Sequence, residues 1–366
     1  MAKEKNKVSI ITVSYNAVNS IERTIRSVLE QSYKNIEYIV IDGQSMDGTQ
    51  TVIEKYRKYI NYYVCEPDNG IYDAMNKGIL MATGDIIGII NSDDWYEMEA
   101  VEKVVNCFQS TDAEVVYGNI WNIGKNGEKK CNIKSPINHI YFSMVTPHPS
   151  VFVKRSIYKK HGMFNVNYKI AADYELILRF YSNGVVFRYI DEMIANFSEG
   201  GVSSIKMLEC AEEARRISLC YMPSNRDDIL EQIEKKYSTS KYKSLMQKAP
   251  MVVYRVIEMK MAEIEKEIII FGTGIWGKEF YEVLRNCNIP VKLFVDNDKK
   301  KWGTKIDGVW IDSPEILKKI DGYVIIAVKN FQKQISEQLI GYQNEQLSWI
   351  TIDEMIEEIC AFCDNY

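Results

Sequence analysis

Four short apolar runs in the first 91 residues constrain this chain most: Val8 to Val13, Ile36 to Ile41, Tyr62 to Cys65 and Ile86 to Ile90. Between them apolar residues recur at helical spacing. Ile21, Ile25, Val28 and Leu29 make one buried face, and the spacing predicts further helices from about Thr49 to Tyr59 and from about Ile71 to Ala82. Strands alternating with amphipathic helices demand an α/β fold with a parallel, doubly wound sheet. Each run ends in polar or glycine-rich residues, and in open α/β sheets ligands collect beyond the carboxyl ends of the strands.

The fourth run ends in Asn91-Ser92-Asp93-Asp94-Trp95. Two carboxylates at a buried strand end suit a divalent cation shared with substrate phosphates. Asn, Ser and Asp also cap helices, and a cap for a helix starting at Glu97 competes with the metal reading. The second run ends at Asp42, whose carboxylate can accept a base imide N–H, although Asp-Gly turns are commonly structural. Glu66-Pro67-Asp68-Asn69-Gly70 reads as a turn with solvated acids.

At 366 residues the chain is long for one core, so more than one domain is expected. The boundaries read as 1–205, a helical linker or subdomain at 206–265, and a small Rossmann-like α/β domain at 266–366 with a helical tail. In the first part, Val115 to Tyr117 and Ser150 to Val153 read as strands and Tyr174 to Tyr181 as a helix burying Leu176, Ile177 and Phe180. Between Lys235 and Lys260 seven basic residues face one acid, Glu258, interleaved with Leu245, Met246 and Met251 to Tyr254. That pattern fits either a helix packed on its own protein or a peripheral contact with the inner membrane surface, and Pro250 interrupts it. A net charge of −5 argues against nucleic acid as a partner. No apolar stretch reaches membrane-spanning length, so a cytoplasmic protein is expected. Eight scattered cysteines form no disulfide framework, and Cys360-Ala-Phe-Cys363 is a single pair in an expected terminal helix.

In order, Val8-Ser-Ile-Ile-Thr-Val-Ser-Tyr-Asn16, Ile41-Asp-Gly-Gln-Ser-Met-Asp-Gly-Thr49, Glu66-Pro-Asp-Asn-Gly-Ile-Tyr-Asp-Ala-Met-Asn-Lys-Gly78 and Asn91-Ser-Asp-Asp94 resemble the nucleotide-binding half of the family 2 glycosyltransferases over roughly residues 8–205. The resemblance implies a GT-A fold, a nucleotide-sugar donor, usually UDP-linked, and Mn2+ or Mg2+ at the Asp-x-Asp position. Asn91 replaces the first Asp of that motif, leaving Asp93 as metal ligand with Asp94 beside it and Ser92 on the donor. Thr12 and Tyr15 fall beside the base, Asp42 on the uracil ring, and Asn76 or Lys77 near the donor. An ammonium such as Lys77 stabilises a diphosphate leaving group. Asp173, in Ala171-Ala172-Asp173-Tyr174-Glu175, is the implied general base, with Ala172 where the family has a glutamate. His148 takes a donor-side or a structural place, and Phe197 to Ser203 resembles a segment closing over the donor.

Gly272-x-Gly274-x-x-Gly277, followed by Asp296, matches a dinucleotide-binding turn. The resemblance favours an inverting, metal-dependent transfer of a sugar to a glycan or lipid-linked glycan in bacterial polysaccharide assembly, with a homo-oligomer open. Two alternatives stand beside it: a sugar-nucleotide oxidoreductase using the Gly272 turn, and a non-catalytic nucleotide- or glycan-binding protein.

Overall fold

The computed structural model describes residues 6–124, 126–132, 137–198, 200, 206–223, 226–248, 250–262, 264–328 and 330–363. The chain divides into two compact units, Met1–Ile233 and Glu234–Tyr366.

In the first unit β1 (Val8–Ser14), β2 (Ile36–Asp42), β3 (Tyr62–Cys65) and β4 (Ile86–Asn91) are parallel, in the order β3-β2-β1-β4. The intervening helices are α1 (Ile21–Leu29), α2 (Thr49–Lys55) and α3 (Ile71–Met81). Alternate β1 residues face opposite layers. Ile11 and Val13 pack with Tyr72, Met75 and Ile79 of α3, while Val8 and Ile10 pack with Ile21 and Ile25 of α1. Gly78 lets α3 approach the sheet, because a Cβ there would lie 2.4 Å from Ile11 Cγ2.

The sheet then turns mixed. β5 (Trp95–Tyr96) and α4 (Ala100–Ser110) follow β4, and then come β6 (Val115–Ile123), β7 (Lys129–Asn132), β8 (Phe152–Lys154), α5 (Arg155–His161), α6 (Ala172–Ser182), β9 (Phe187–Ser198) and α7 (Met207–Tyr221). β8 lies antiparallel between β4 and β6, β9 runs parallel to β6, and β5 pairs with β9. Leu176, Ile177 and Phe180 of α6 are buried as expected.

Several boundaries differ from the sequence reading. The helix expected to reach Tyr59 stops at Lys55, where the Tyr56 hydroxyl donates to Glu22, and a 3-10 turn follows over Arg57–Tyr59. The strand expected from Ser150 starts at Phe152, because Ser150 closes a 3-10 turn with its hydroxyl on the Gly118 and Pro147 carbonyls. The 12-residue strand β9 was not foreseen.

The expected helical linker is shared between the units. α8 (Asp227–Lys248) crosses the division, and α9 (Pro250–Ala262) carries Val253, Val256, Ile257 and Met261 into the core of the second unit. Pro250 opens that helix, the position where its missing N–H costs least. Lys260 pairs with Glu358 at 2.6 Å, Lys235 pairs with Asp353, and Lys243 lies over the Trp276 ring. Much of the basic run is thus held by its own unit. Among the described residues no helix is long and apolar enough to cross a membrane.

The second unit continues with β10 (Ile268–Phe271), α10 (Ile275–Asn286), β11 (Val291–Val295), β12 (Lys305–Ile306), β13 (Val309–Asp312), β14 (Gly322–Ile326), α11 (Gln332–Gly341), β15 (Leu347–Thr351) and α12 (Ile352–Cys363). Its parallel strands run β13-β11-β10-β14-β15, the strand order of a doubly wound sheet. The side chain of Cys363, the second cysteine of the terminal pair, lies outside the described residues, as do Glu199 and Gly201 to Ser203 of the expected closing segment.

Candidate active site

Register brings the polar strand ends into a row: Ser14 pairs with Asp42, Asp42 with Cys65, and Val13 with Asn91. Within that row Asp42 is fully buried. Its Oδ1 accepts from the hydroxyls of Ser14 at 2.8 Å and Ser45 at 2.6 Å, and its Oδ2 from the Ser45 N–H at 2.9 Å and the Cys65 thiol at 3.4 Å. A carboxylate so fully used has no oxygen left for a base. Asp42 therefore shapes the loop, where the sequence placed it on the uracil ring. Asp47 and Thr49 complete the latch by taking the N–H groups of Val18 and Ala17, and the Asn16 N–H donates to Ser45.

The latch presents Tyr15, which is 66% exposed. Across from it stands Asp68, which the turn pattern Glu66 to Gly70 predicts as a solvated acid. A Cβ built on Gly43 would lie 2.3 Å from Asp68 Oδ2 and 3.3 Å from Tyr15 Cδ2, so glycine alone leaves room for both groups. Asp68 Oδ1 accepts the Gly70 N–H at 2.9 Å, which holds the side chain, while Oδ2 has no hydrogen-bond partner among the described residues. One charged oxygen is thereby aimed beside an exposed aromatic ring.

At the end of β4 the acidic pair separates by burial. Asp94 is fully buried; its Oδ1 accepts the Ser198 N–H at 2.9 Å, and its Oδ2 has no partner. Burial and then the Asp93 charge push the Asp94 carboxyl well above the usual carboxylate range. Asp93 is half-buried, and desolvation raises it too, against the attraction of Arg23. Ser92 shares the turn, and the Asn91 Oδ1 is also buried without a partner. The turn itself is braced by β9 and α1. Ser198 Oγ and Arg23 Nη2 donate to the Asp93 carbonyl at 2.7 and 2.8 Å, and Arg23 lies 3.5 Å over the Trp95 ring. The helix-cap alternative does not hold, because β5 follows directly and α4 begins only at Ala100. Two raised carboxyls beside unpartnered buried oxygens form an environment short of positive charge.

Asp173 lies at the start of α6. Its Oδ1 accepts the Tyr174 N–H at 2.9 Å and the Tyr72 hydroxyl at 3.2 Å, leaving Oδ2 without a protein partner among the described residues. Tyr72 belongs to the first turn of α3, just after Asp68 and Gly70, so one short segment touches both sites. Tyr72 stacks on Phe164 at 5.4 Å, and His148 meets Phe164 edge-on at 6.3 Å. Burial lowers the His148 pKa against the opposing pull of Asp173, so the ring is neutral at pH 7, with Nε2 buried and unpartnered.

Three other expected donor contacts are occupied. Thr12 is fully buried with its hydroxyl on Tyr38, 3.1 Å away, because its side chain points into the layer below the sheet. Asn76 spends its amide on the Phe164 backbone, donating to the carbonyl at 2.9 Å and accepting from the N–H at 3.0 Å. Lys77 pairs with Glu66 at 2.9 Å and donates to the Pro67 carbonyl.

In the second unit Gly272 has φ +107° and a Cβ on Gly277 would lie 2.0 Å from the Gly272 carbonyl oxygen, so both glycines are required by the turn. Gly274 faces open space. Asp296 accepts the Thr273 N–H and the Lys301 ammonium, each at 3.0 Å, and the Asp298 N–H at 2.9 Å. Its carboxylate is spent within the protein.

Residues 9–170 match the model of glycosyl transferase family 2, and residues 264–347 match that of the C2185-like N-terminal family. An uncharacterized glycosyltransferase of Mycobacterium tuberculosis is 33% identical over 181 residues, covering 47% of this chain and 68% of that protein. A PGL/p-HBAD biosynthesis glycosyltransferase of Mycobacterium bovis is 26% identical over 203 residues, covering 54% and 78%. The crystal structure of S. aureus TarS 1-349 in complex with UDP-GlcNAc superposes with a TM-score of 0.53 at 19% identity, over 66% of this chain and 76% of that one. The likeness shows that the first unit has the GT-A fold.

Proposed function

The chain belongs to glycosyl transferase family 2 and is a glycosyltransferase, and from that premise we propose that it transfers a sugar, with inversion, from a uracil nucleotide donor to a hydroxyl of a glycan or lipid-linked glycan. The observation that carries the reading is the acidic turn: half-buried Asp93 beside a buried Asp94 whose Oδ2 lacks a partner. Such a turn fits a divalent cation, Mn2+ or Mg2+, held by Asp93. Among the described residues no cluster of three His, Cys, Asp or Glu side chains stands there, so Asp93 would hold the cation together with oxygens of the donor diphosphate. When bound, the cation supplies positive charge to the leaving diphosphate.

The remaining work falls to side chains of this protein. Tyr15 offers a face for the base, and Asp68 Oδ2 accepts the imide N–H. One free oxygen matches the single N–H on that edge of uracil; guanine would present two, and Oδ1 is already taken by Gly70. Asp173 Oδ2 accepts the proton of the acceptor hydroxyl as its oxygen bonds to the anomeric carbon, while the bond from that carbon to the diphosphate oxygen breaks. Tyr72 and the Tyr174 N–H hold Oδ1, so the free oxygen is presented to the acceptor. Neutral His148 and Phe164 line the same region without adding charge.

Incubation with Mn2+ or Mg2+ and a panel of nucleotide sugars, measuring nucleoside-diphosphate release, tests the proposal. Release from a uracil nucleotide sugar, suppressed by chelator and by Asp93→Ala, is expected. Turnover that is indifferent to both, or absence of donor binding across the panel, overturns it.

A further inference from the structure

Resting on the assignment of Asp173 as the base, we infer that Glu213 on α7 positions it. The loop from Phe164 to Ala171 leads into α6, and Ala171, at the N-cap, brings no side-chain acceptor. Helix N-terminal N–H groups left without acceptors are costly when buried. Glu213, only 7% exposed and 42 residues away in sequence, takes the N-cap N–H of Ala171 and the two loop N–H groups ahead of it. Its Oε1 accepts the Lys169 N–H at 2.8 Å, and its Oε2 accepts those of Ile170 and Ala171, each at 2.9 Å.

Three consecutive N–H groups on one carboxylate fix the backbone immediately ahead of Asp173, and the negative charge suits a helix N-terminus. Two more contacts from α7 support the same turn. Ser218 Oγ lies 2.9 Å from the Tyr174 hydroxyl, and the Tyr221 hydroxyl donates to Glu175 at 2.6 Å. From the opposite side the Tyr72 hydroxyl shares its one proton between the Ile170 carbonyl at 2.5 Å and Asp173 Oδ1 at 3.2 Å. Asp173 is therefore held between α3 and α7. Glu213 touches no reacting atom in this scheme; it acts through Asp173, and misplacing a reacting group by about 1 Å costs on the order of 100-fold in rate.

The test measures sugar transfer and nucleoside-diphosphate affinity in full-length Glu213→Gln, Glu213→Asp, Asp173→Asn and the double variant Glu213→Gln/Asp173→Asn. Glu213→Gln replaces an acceptor oxygen by an amide donor facing an N–H, and a kcat loss of about tenfold or more is expected, with donor KM and UDP Kd within about twofold. Glu213→Asp, which keeps the charge, recovers part of the loss and reports even where the glutamine variant folds poorly. In the Asp173→Asn background Glu213→Gln costs less than about twofold, because the group it positions is gone. Losses that multiply in the double variant, or a donor affinity that falls together with kcat, overturn the inference. Full turnover in Glu213→Gln with an inactive Asp173→Asn overturns it alone; full turnover in Asp173→Asn overturns the base assignment and this inference together.

Discussion

Replacing Asp68 by Asn tests how the donor base is read. Asparagine keeps an oxygen for the Gly70 N–H, so the turn survives, and it places an amide N–H2 where Oδ2 stood beside Gly43 and Tyr15. An imide N–H then meets a donor where it met an acceptor. A hydrogen bond to a charged group contributes about 1.5–3 kcal/mol, and Asp68 is only half-buried, so about 1.5 kcal/mol is the appropriate end of that range. UDP affinity should fall roughly tenfold. Cytosine presents an acceptor at the same ring position, so CDP should gain on the variant, and the ratio of UDP to CDP affinity should drop by more than about tenfold. N3-methyl-UDP serves as an independent probe: it should bind roughly tenfold worse than UDP to the unaltered protein and nearly equally to Asp68→Ala. Isothermal titration with each diphosphate in the presence of Mn2+ gives the numbers. An unchanged UDP to CDP ratio in Asp68→Asn, or the same N3-methyl penalty in Asp68→Ala, would refute Asp68 as the reader.

Three further outcomes are expected. Asp42→Asn breaks hydrogen bonds with Ser14 and Ser45 inside the fold, so thermal unfolding should show a loss of about 1–3 kcal/mol without any ligand; an unaltered midpoint with weakened UDP binding would restore the base contact to Asp42. Glu37 is 2% exposed, and although burial raises its pKa, bonds from Lys7, Ser9 and Thr83 outweigh this and bring it from 4.5 down to about 2. A depressed carboxyl stabilises the fold above its unfolded pKa and loses that contribution as pH falls from about 4.5 towards 2, here about 3 kcal/mol. Glu37→Gln should thus be less stable in urea at pH 7 and approach the unaltered protein near pH 2, and an equal gap at both pH values would contradict the linkage. Gly277→Ala drives a Cβ to 2.0 Å from the Gly272 carbonyl oxygen, and a cost of about 1–3 kcal/mol should appear as faster hydrogen exchange in β10 and α10 with β1 and β2 unaffected; protected amides there would show that the turn tolerates a side chain.

The strands and helices of the first 91 residues were legible because period and burial coincide: the β-branched runs of β1, β2 and β4 are buried on both faces, the short β3 lies at the exposed edge, and the intervening helices bury a single stripe. The acidic turn at the end of β4 was legible for the same reason, since a polar cluster closing a buried run lies at the cleft. β9 was not, because Phe187 to Ser198 shows neither clean alternation nor a continuous apolar run, its buried residues being concentrated at Ile194 to Asn196. Ser198, at the end of the same strand, braces Asp93 and Asp94 and carries no local signal of that role.

Sequence by itself determined the class of the fold and made Asp93, at the end of a buried strand, a candidate, since these follow from local periodicity and from residue types at strand ends; Tyr15 and Asp173 entered as candidates through the family resemblance of the ordered motifs. Which carboxylates remain available was decided only by the tertiary structure. Asp42 closes an apolar strand, and Asp68 and Glu213 are acids in polar stretches of sequence. Partners brought together by folding saturate Asp42, leave one oxygen of Asp68 free beside Gly43, and bind Glu213 to the backbone ahead of Asp173. Ser45 and Gly70 are near neighbours of Asp42 and Asp68, but Ser14 and Cys65 complete the saturation of Asp42, and the N–H groups on Glu213 lie 42 to 44 residues away, so the final count of free oxygens has no signature in local sequence.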